Sequence, residues 1–291
     1  RLGCLACCLP GLAAAEAAGP PAGTRQCVLS YADGLDTVKA NLSFFVRAHP
    51  LKVAVTAERP IILGAGFGTT GTRSLAQAFR ELGKVTIRWM EVVSPEHWVF
   101  LGLPWAVGLV KILGGAVPPG LDHVPLEYQG VEWCHEELRK FHFTLVPDTV
   151  DALVDTPVAE LFLNLWLSFP NARVLLSTRP AEGWVRSRVG KHKNNKTFAP
   201  LQEPCGLTLE AADGLFSDAD YARLFELHSE LVRCLVPRDR LFEIDLSSPP
   251  SMRDLAGFLG LPPPAPGLQF PGLFRSSPPD GAQPQWPPPP R

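Results

Sequence analysis

Along the chain, short apolar runs alternate with longer segments whose apolar residues recur at helical spacing. Residues 61–63, 85–87, 152–154, 174–177 and 241–244 read as strands. Residues 72–82, 158–169, 181–189, 221–235 and 251–259 read as helices between and after them. Apolar runs of that length suit strands buried on both faces, and β-then-α alternation is the signature of a mainly parallel sheet. The expected fold is therefore an α/β three-layer sandwich with a mainly parallel sheet. In such a sheet, ligands belong at the carboxyl ends of the strands.

The pattern also sets boundaries. Residues 1–58 read as a leader and connecting segment, with Gly19-Pro-Pro-Ala-Gly23 as a break, residues 59–271 as the folded domain and residues 272–291 as a Pro-rich disordered tail. Residues 2–15 are apolar and end in small residues, the outline of a signal peptide or membrane-anchor remnant. With the sequons at Asn41 and Asn195, this favours the secretory pathway and Golgi lumen over the cytoplasm. Residues 98–117 are nearly continuous apolar sequence broken by Pro104, Gly108 and Lys111. A charge and glycines there point to a buried or interfacial helical hairpin rather than a span: a wall of an acceptor pocket or a membrane-contacting lid.

Composition narrows the partners. At 291 residues and 46% hydrophobic, the chain can bury the core of one medium domain. Its 27 basic and 29 acidic residues nearly cancel, so no global field exists to hold nucleic acid. Arg186, Arg188, Lys191, His192, Lys193 and Lys196 form a local basic cluster, which reads as a solvated helix end or as a guide for an anionic donor or acceptor. Seven cysteines include no zinc spacing, and no metal is expected. Cys134, Cys205 and Cys234 read as small buried hydrophobes.

The densest chemical signal is Gly66-Phe-Gly-Thr-Thr-Gly-Thr-Arg-Ser74, which follows the first strand and opens a helix. Glycines let backbone curl around an anion, and amides at a helix N-terminus attract phosphate or sulfate. Gly66 and Gly71 fit the frame of a triphosphate loop, but its lysine position is occupied by Thr72. More than a hundred residues later, Arg179 ends a strand and Ser187 lies in the following helix, a pairing suited to a second phosphate.

Together these two elements resemble the sulfotransferases that use 3′-phosphoadenosine 5′-phosphosulfate, a family with a P-loop NTPase-like fold. The loop is similar to the branch that reads Gly-x-Gly-x-Thr-Gly-Thr-x-Ser-Leu. Asp151-Ala-Leu-Val-Asp-Thr-Pro157, Phe169-Pro-Asn-Ala-Arg-Val-Leu-Leu176, Trp184 and the stretch from Phe258 to Pro271 look like its landmarks. The resemblance implies that Gly68, Thr69, Thr70, Gly71, Thr72, Arg73 and Ser74 hold the 5′-phosphosulfate. It assigns Arg179 and Ser187 to the 3′-phosphate. It also implies sulfuryl transfer to a hydroxyl or amine on a small-molecule, lipid or glycan acceptor. Thr69 stands where the family carries Lys or Arg, so a charge on the leaving group's side is missing. Arg73 is a candidate to replace it, or a solvent-facing residue of the first helical turn.

For the catalytic base, the place corresponding to the family's strand-end residue is Asp155. A carboxylate at a buried strand end suits a base, and the structural alternative is a cap on the helix expected from residue 158. Glu91, His123 and His135 are reserves. Two rival functions remain. Gly64-Ala-Gly-Phe-Gly68 resembles the start of a dinucleotide fingerprint, implying an NAD(P)-dependent epimerase or oxidoreductase, although its third glycine position is Thr69. The other rival is an inactive sulfotransferase-like binding protein.

Overall fold

The computed structural model describes residues 20–38, 43–47, 49, 51–53, 55–88, 143–146, 148–155, 158–159, 161–192 and 217–272. Among the described residues, five parallel strands form one sheet: β1 (Ile62–Gly64), β2 (Thr86–Arg88), β3 (Ala152–Val154), β4 (Arg173–Thr178) and β5 (Leu241–Asp245). Their spatial order is β2-β3-β1-β4-β5. All five expected strands are present, with ends shifted by a residue or so. Ile62 aligns with Ala152 on one side and Arg173 on the other, which brings the ends of β1, β3 and β4 to one edge.

Strand alternation explains the layers, because successive side chains point to opposite faces. Ile61, Leu63, Leu153, Val174 and Leu176 face one core with α1 (Thr24–Leu35), α4 (Phe162–Ser168) and α6 (Asp218–Leu235). Ile62, Ala152, Val154, Leu175 and Ile244 face the other, under α3 (Thr72–Glu81) and α7 (Met252–Leu259). A third cluster joins Phe67 of the glycine loop to Trp184 of α5 (Ala181–His192) and Phe225 of α6. The short α2 (Ser43–Arg47) packs on α1.

Helix ends follow local chemistry. Ser217 and Asp220 form a reciprocal capping box that starts α6, worth about 1 kcal/mol. Gly260, left-handed at φ 70°, ends α7 where a side chain would be strained. The helix expected from residue 158 begins instead at Phe162, because Val158 donates back to the Asp155 carbonyl in a turn first.

Two expectations need correction. The leader reading of residues 1–58 overlooked α1, an ordered helix whose Cys27, Val28, Tyr31, Ala32 and Leu35 are buried in the main core. Cys234 is not a simple buried hydrophobe: it forms a disulfide with Cys27, fastening α1 to the last turn of α6. Among the described residues, no helix is long and apolar enough to cross a membrane. Residues 98–117 lie outside the described residues.

The disulfide closes a loop of 207 residues, and large loops carry large chain-entropy stabilisation. Cys27→Ser and Cys234→Ser should each remove the mobility difference between reduced and unreduced protein on gels. Each should also lower the unfolding free energy by about 2–5 kcal/mol in denaturant titrations.

Candidate functional site

The glycine loop leaves β1 at the carboxyl edge of the sheet, and its carbonyls are taken up by its surroundings one after another. His228 Nε2 lies 2.6 Å from the Ala65 carbonyl oxygen. Thr70 Oγ1 donates to the Phe67 carbonyl and pairs with Ser177 Oγ at 2.7 Å. Trp184 Nε1 donates to the Gly68 carbonyl at 3.0 Å, and Arg179 Nη1 to the Thr69 carbonyl at 3.2 Å. Among the described residues, the amides of Gly68, Thr69, Gly71, Thr72 and Arg73 donate to no protein acceptor. Gly71 caps α3 without a side chain at φ 82°, so the helix N-terminus is uncovered. Carbonyls held outward with amides left over make a cradle for an anion.

Two positions show why the sequence is built this way. A Cβ on Gly66 would overlap Ser177 Oγ and lie 2.7 Å from the Ser177 carbonyl oxygen, so only glycine lets the loop pass this close to β4. Thr69 has φ 70°, rare for a β-branched residue, and its Oγ1 is buried with no hydrogen-bond partner among the described residues. Strain together with an unsatisfied hydroxyl is characteristic of functional loops.

The residues proposed from sequence fall into three places. Gly68, Thr69, Thr70, Gly71, Thr72 and Ser74 form the loop and the first turn of α3, with Thr70 and Ser74 fully buried. Arg73 is exposed on that turn, with no hydrogen bond or ion pair among the described residues. Arg179 precedes α5 and reaches the loop at Thr69, and Ser187 lies within α5; both are half-buried. Asp155 ends β3 at φ 74°, one strand over, and its Oδ2 is ion-paired with Arg88 Nη1 of β2 at 3.2 Å. It therefore has a cationic neighbour at the strand end, and the helix-cap alternative is overturned because α4 starts at Phe162, seven residues on. Glu91, His123 and His135 lie outside the described residues, as do Lys193 and Lys196.

Sequence reading missed Trp184 as a loop clamp and His228 altogether. Burial pushes the His228 imidazole down to about 4, the hydrogen bond to Ala65 only partly opposing it. The ring is neutral at pH 7 and must carry its proton on Nε2 to donate to the carbonyl. Phe67 packs against it, ring centroids 4.0 Å apart. No local motif marks a histidine 163 residues away from its partner.

The sheet order decides between the rival folds. A dinucleotide-binding sheet places the second strand beside the first. Here β3 lies there and β2 beyond it, so the loop's glycines belong to a different topology. A sulfotransferase domain model matches residues 61–275, most of the chain. The chain belongs to the sulfotransferase domain family. It is also 24% identical over 235 residues to "Ava biosynthesis cluster protein M" from Aspergillus versicolor, covering 74% of this chain and 81% of the relative. In this family member the match begins at β1, so α1 and its Cys27 lie outside the matched region while the disulfide partner Cys234 lies within it.

The buried His228 has a signed consequence for stability. The unfolded imidazole takes up a proton near 6.5 and the folded one only near 4, so its contribution is full above pH 6.5. It is lost as the pH falls from there towards 4, by roughly 3 kcal/mol. His228→Gln keeps an amide donor without a titrating ring. Unfolding measured from pH 7 to 4 should show a flatter decline in that variant than in the parent.

Proposed function

We propose that this protein transfers a sulfuryl group from 3′-phosphoadenosine 5′-phosphosulfate to a hydroxyl or amine acceptor. The observation that carries the reading is the physical joining of two anion sites, with Arg179 and Trp184 of the β4–α5 element bonded to consecutive carbonyls of the glycine loop. One ligand with two separate phosphates fits a paired site of this kind. The fit rests on this chain's own groups: a glycine cradle that a Cβ would fill, open amides on α3, and the unpartnered Thr69 hydroxyl.

When bound, the donor supplies an activated sulfur whose bond to phosphate oxygen breaks as a bond to the acceptor oxygen or nitrogen forms, leaving adenosine 3′,5′-bisphosphate. The amides of Gly68, Thr69, Gly71, Thr72 and Arg73 would hold the 5′ side, and Arg179 with Ser187 would hold the 3′-phosphate. Thr69 Oγ1 donates a hydrogen bond to the sulfated phosphate in place of the family's cation. Arg179 brings positive charge to within hydrogen-bond distance of the Thr69 backbone. Asp155 accepts the acceptor's proton, with Arg88 orienting the carboxylate. Positioning and charge neutralisation do most of the catalysis in displacements of this kind.

The acceptor is a small molecule, lipid or glycan; the fungal relative's name, which ties that protein to a biosynthesis cluster, supports the first. The Cys27–Cys234 disulfide supports residence in an oxidising lumen of the secretory pathway, since cytosolic thiols are kept reduced. A second reading, donor binding without transfer, is favoured by the absence of a cation at Thr69.

Thermal shift should show stabilisation by adenosine 3′,5′-bisphosphate and none by NAD or ATP; stabilisation by NAD alone overturns the reading. Arg179→Ala should weaken bisphosphate binding about 10- to 100-fold. Asp155→Asn should leave that affinity unchanged while lowering transfer of labelled sulfate by about 10²- to 10⁴-fold. Donor binding with no transfer by the parent protein to hydroxyl and amine acceptors would support the second reading.

A further inference from the structure

Gly183 lies in the first turn of α5, and two arginines meet above it. A Cβ built there would sit 3.7 Å from both Nε and Nη2 of Arg179 and 3.8 Å from Nη2 of Arg186. Neither guanidinium has a carboxylate partner among the described residues: Arg179 bonds the Thr69 carbonyl, and Arg186 makes no hydrogen bond or ion pair. Side chains on a helix lean towards its N-terminus. Arg186 and Ser187, three and four residues after Gly183, therefore reach back over the same spot.

Two cations that converge on one point with no carboxylate partner among the described residues repel each other, and an anion between them relieves that repulsion. The position of that anion follows from the sheet order. β4 lies on one side of β1 and β3 on the other, so the Arg179–Arg186 pair is on the opposite side of the glycine loop from Asp155. The loop amides serve the 5′ side, the Asp155 edge serves the acceptor, and the dibasic point is left for the second phosphate.

We infer that Arg186 is a second cationic arm of this sulfotransferase's 3′-phosphate subsite, setting its preference for a 3′-phosphorylated nucleotide over one with a free 3′-hydroxyl. The inference rests on the donor reading proposed above. Arg186 is exposed, so its replacement removes no core packing.

The test is calorimetric titration of the parent, Arg186→Ala and Arg186→Lys with adenosine 3′,5′-bisphosphate and, separately, adenosine 5′-phosphate. The parent should prefer the bisphosphate. Arg186→Ala should lose about tenfold in affinity for the bisphosphate and less than about twofold for the monophosphate, and Arg186→Lys should recover part of the loss. Denaturant unfolding of each unliganded variant checks that the fold is intact. A bisphosphate affinity unchanged in Arg186→Ala, or an equal loss for both nucleotides, overturns the inference while leaving the donor reading in place. A parent protein that does not prefer the bisphosphate overturns both.

Discussion

The site depends on one constraint: the glycine loop's backbone carbonyls must be bonded outward for its amides to be free inward. Four separate side chains do this, from three different elements. Thr70 belongs to the loop itself, Arg179 and Trp184 come from the turn and helix after β4, and His228 comes from α6. A loop of this kind is too polar to bury and too irregular to satisfy itself. Its conformation is therefore borrowed from the packing around it. Trp184 and Phe225 stack at 4.8 Å between centroids, and Phe67 packs on both, so the clamp is embedded in an apolar cluster that excludes competing water.

The same arrangement explains how residues so distant in sequence as the glycine loop and Arg179 come together. β1 and β4 are hydrogen-bonded neighbours, with Gly64 aligned to Leu175, so the loop after one strand and the arginine after the other start side by side. No long-range coupling device is needed. On the other flank, β3 and β2 bring the Arg88–Asp155 pair to the same edge. Sheet order thus places Arg179 on one flank of β1 and Asp155 on the other, as the proposed division between donor binding and proton transfer requires.

Much of this was legible from the chain. All five strands and the loop-helix junction are local patterns of apolar runs and glycines, which is why 152–154 and 72–82 were found nearly as they stand. Arg179 at the end of β4 was readable because the strand before it is a local apolar run, and the structure brings it to the Thr69 carbonyl. What escaped was set by tertiary contact. Val158 begins a turn instead of a helix because its amide is used by Asp155. His228 looks like any core residue of an amphipathic helix, and nothing beside it announces a bond to Ala65. Cys27 was hidden by a segment that reads as connection, since α1 gains its stability from burial against α6 rather than from strong helix signals of its own.

That last pairing shapes how the protein can be made. Cys234 emerges from the ribosome 207 residues after its partner Cys27, when every described strand but the last has been synthesised. At ordinary elongation rates of about 5–20 residues per second, the first thiol waits for roughly 10–40 s. During that interval Cys4, Cys7 and Cys8, all within two dozen residues of it in sequence, are the nearest competing thiols along the chain. Correct oxidation thus follows synthesis of four of the five described strands, and maturation yield becomes a matter of how quickly α6 docks compared with how quickly neighbouring cysteines are scrambled.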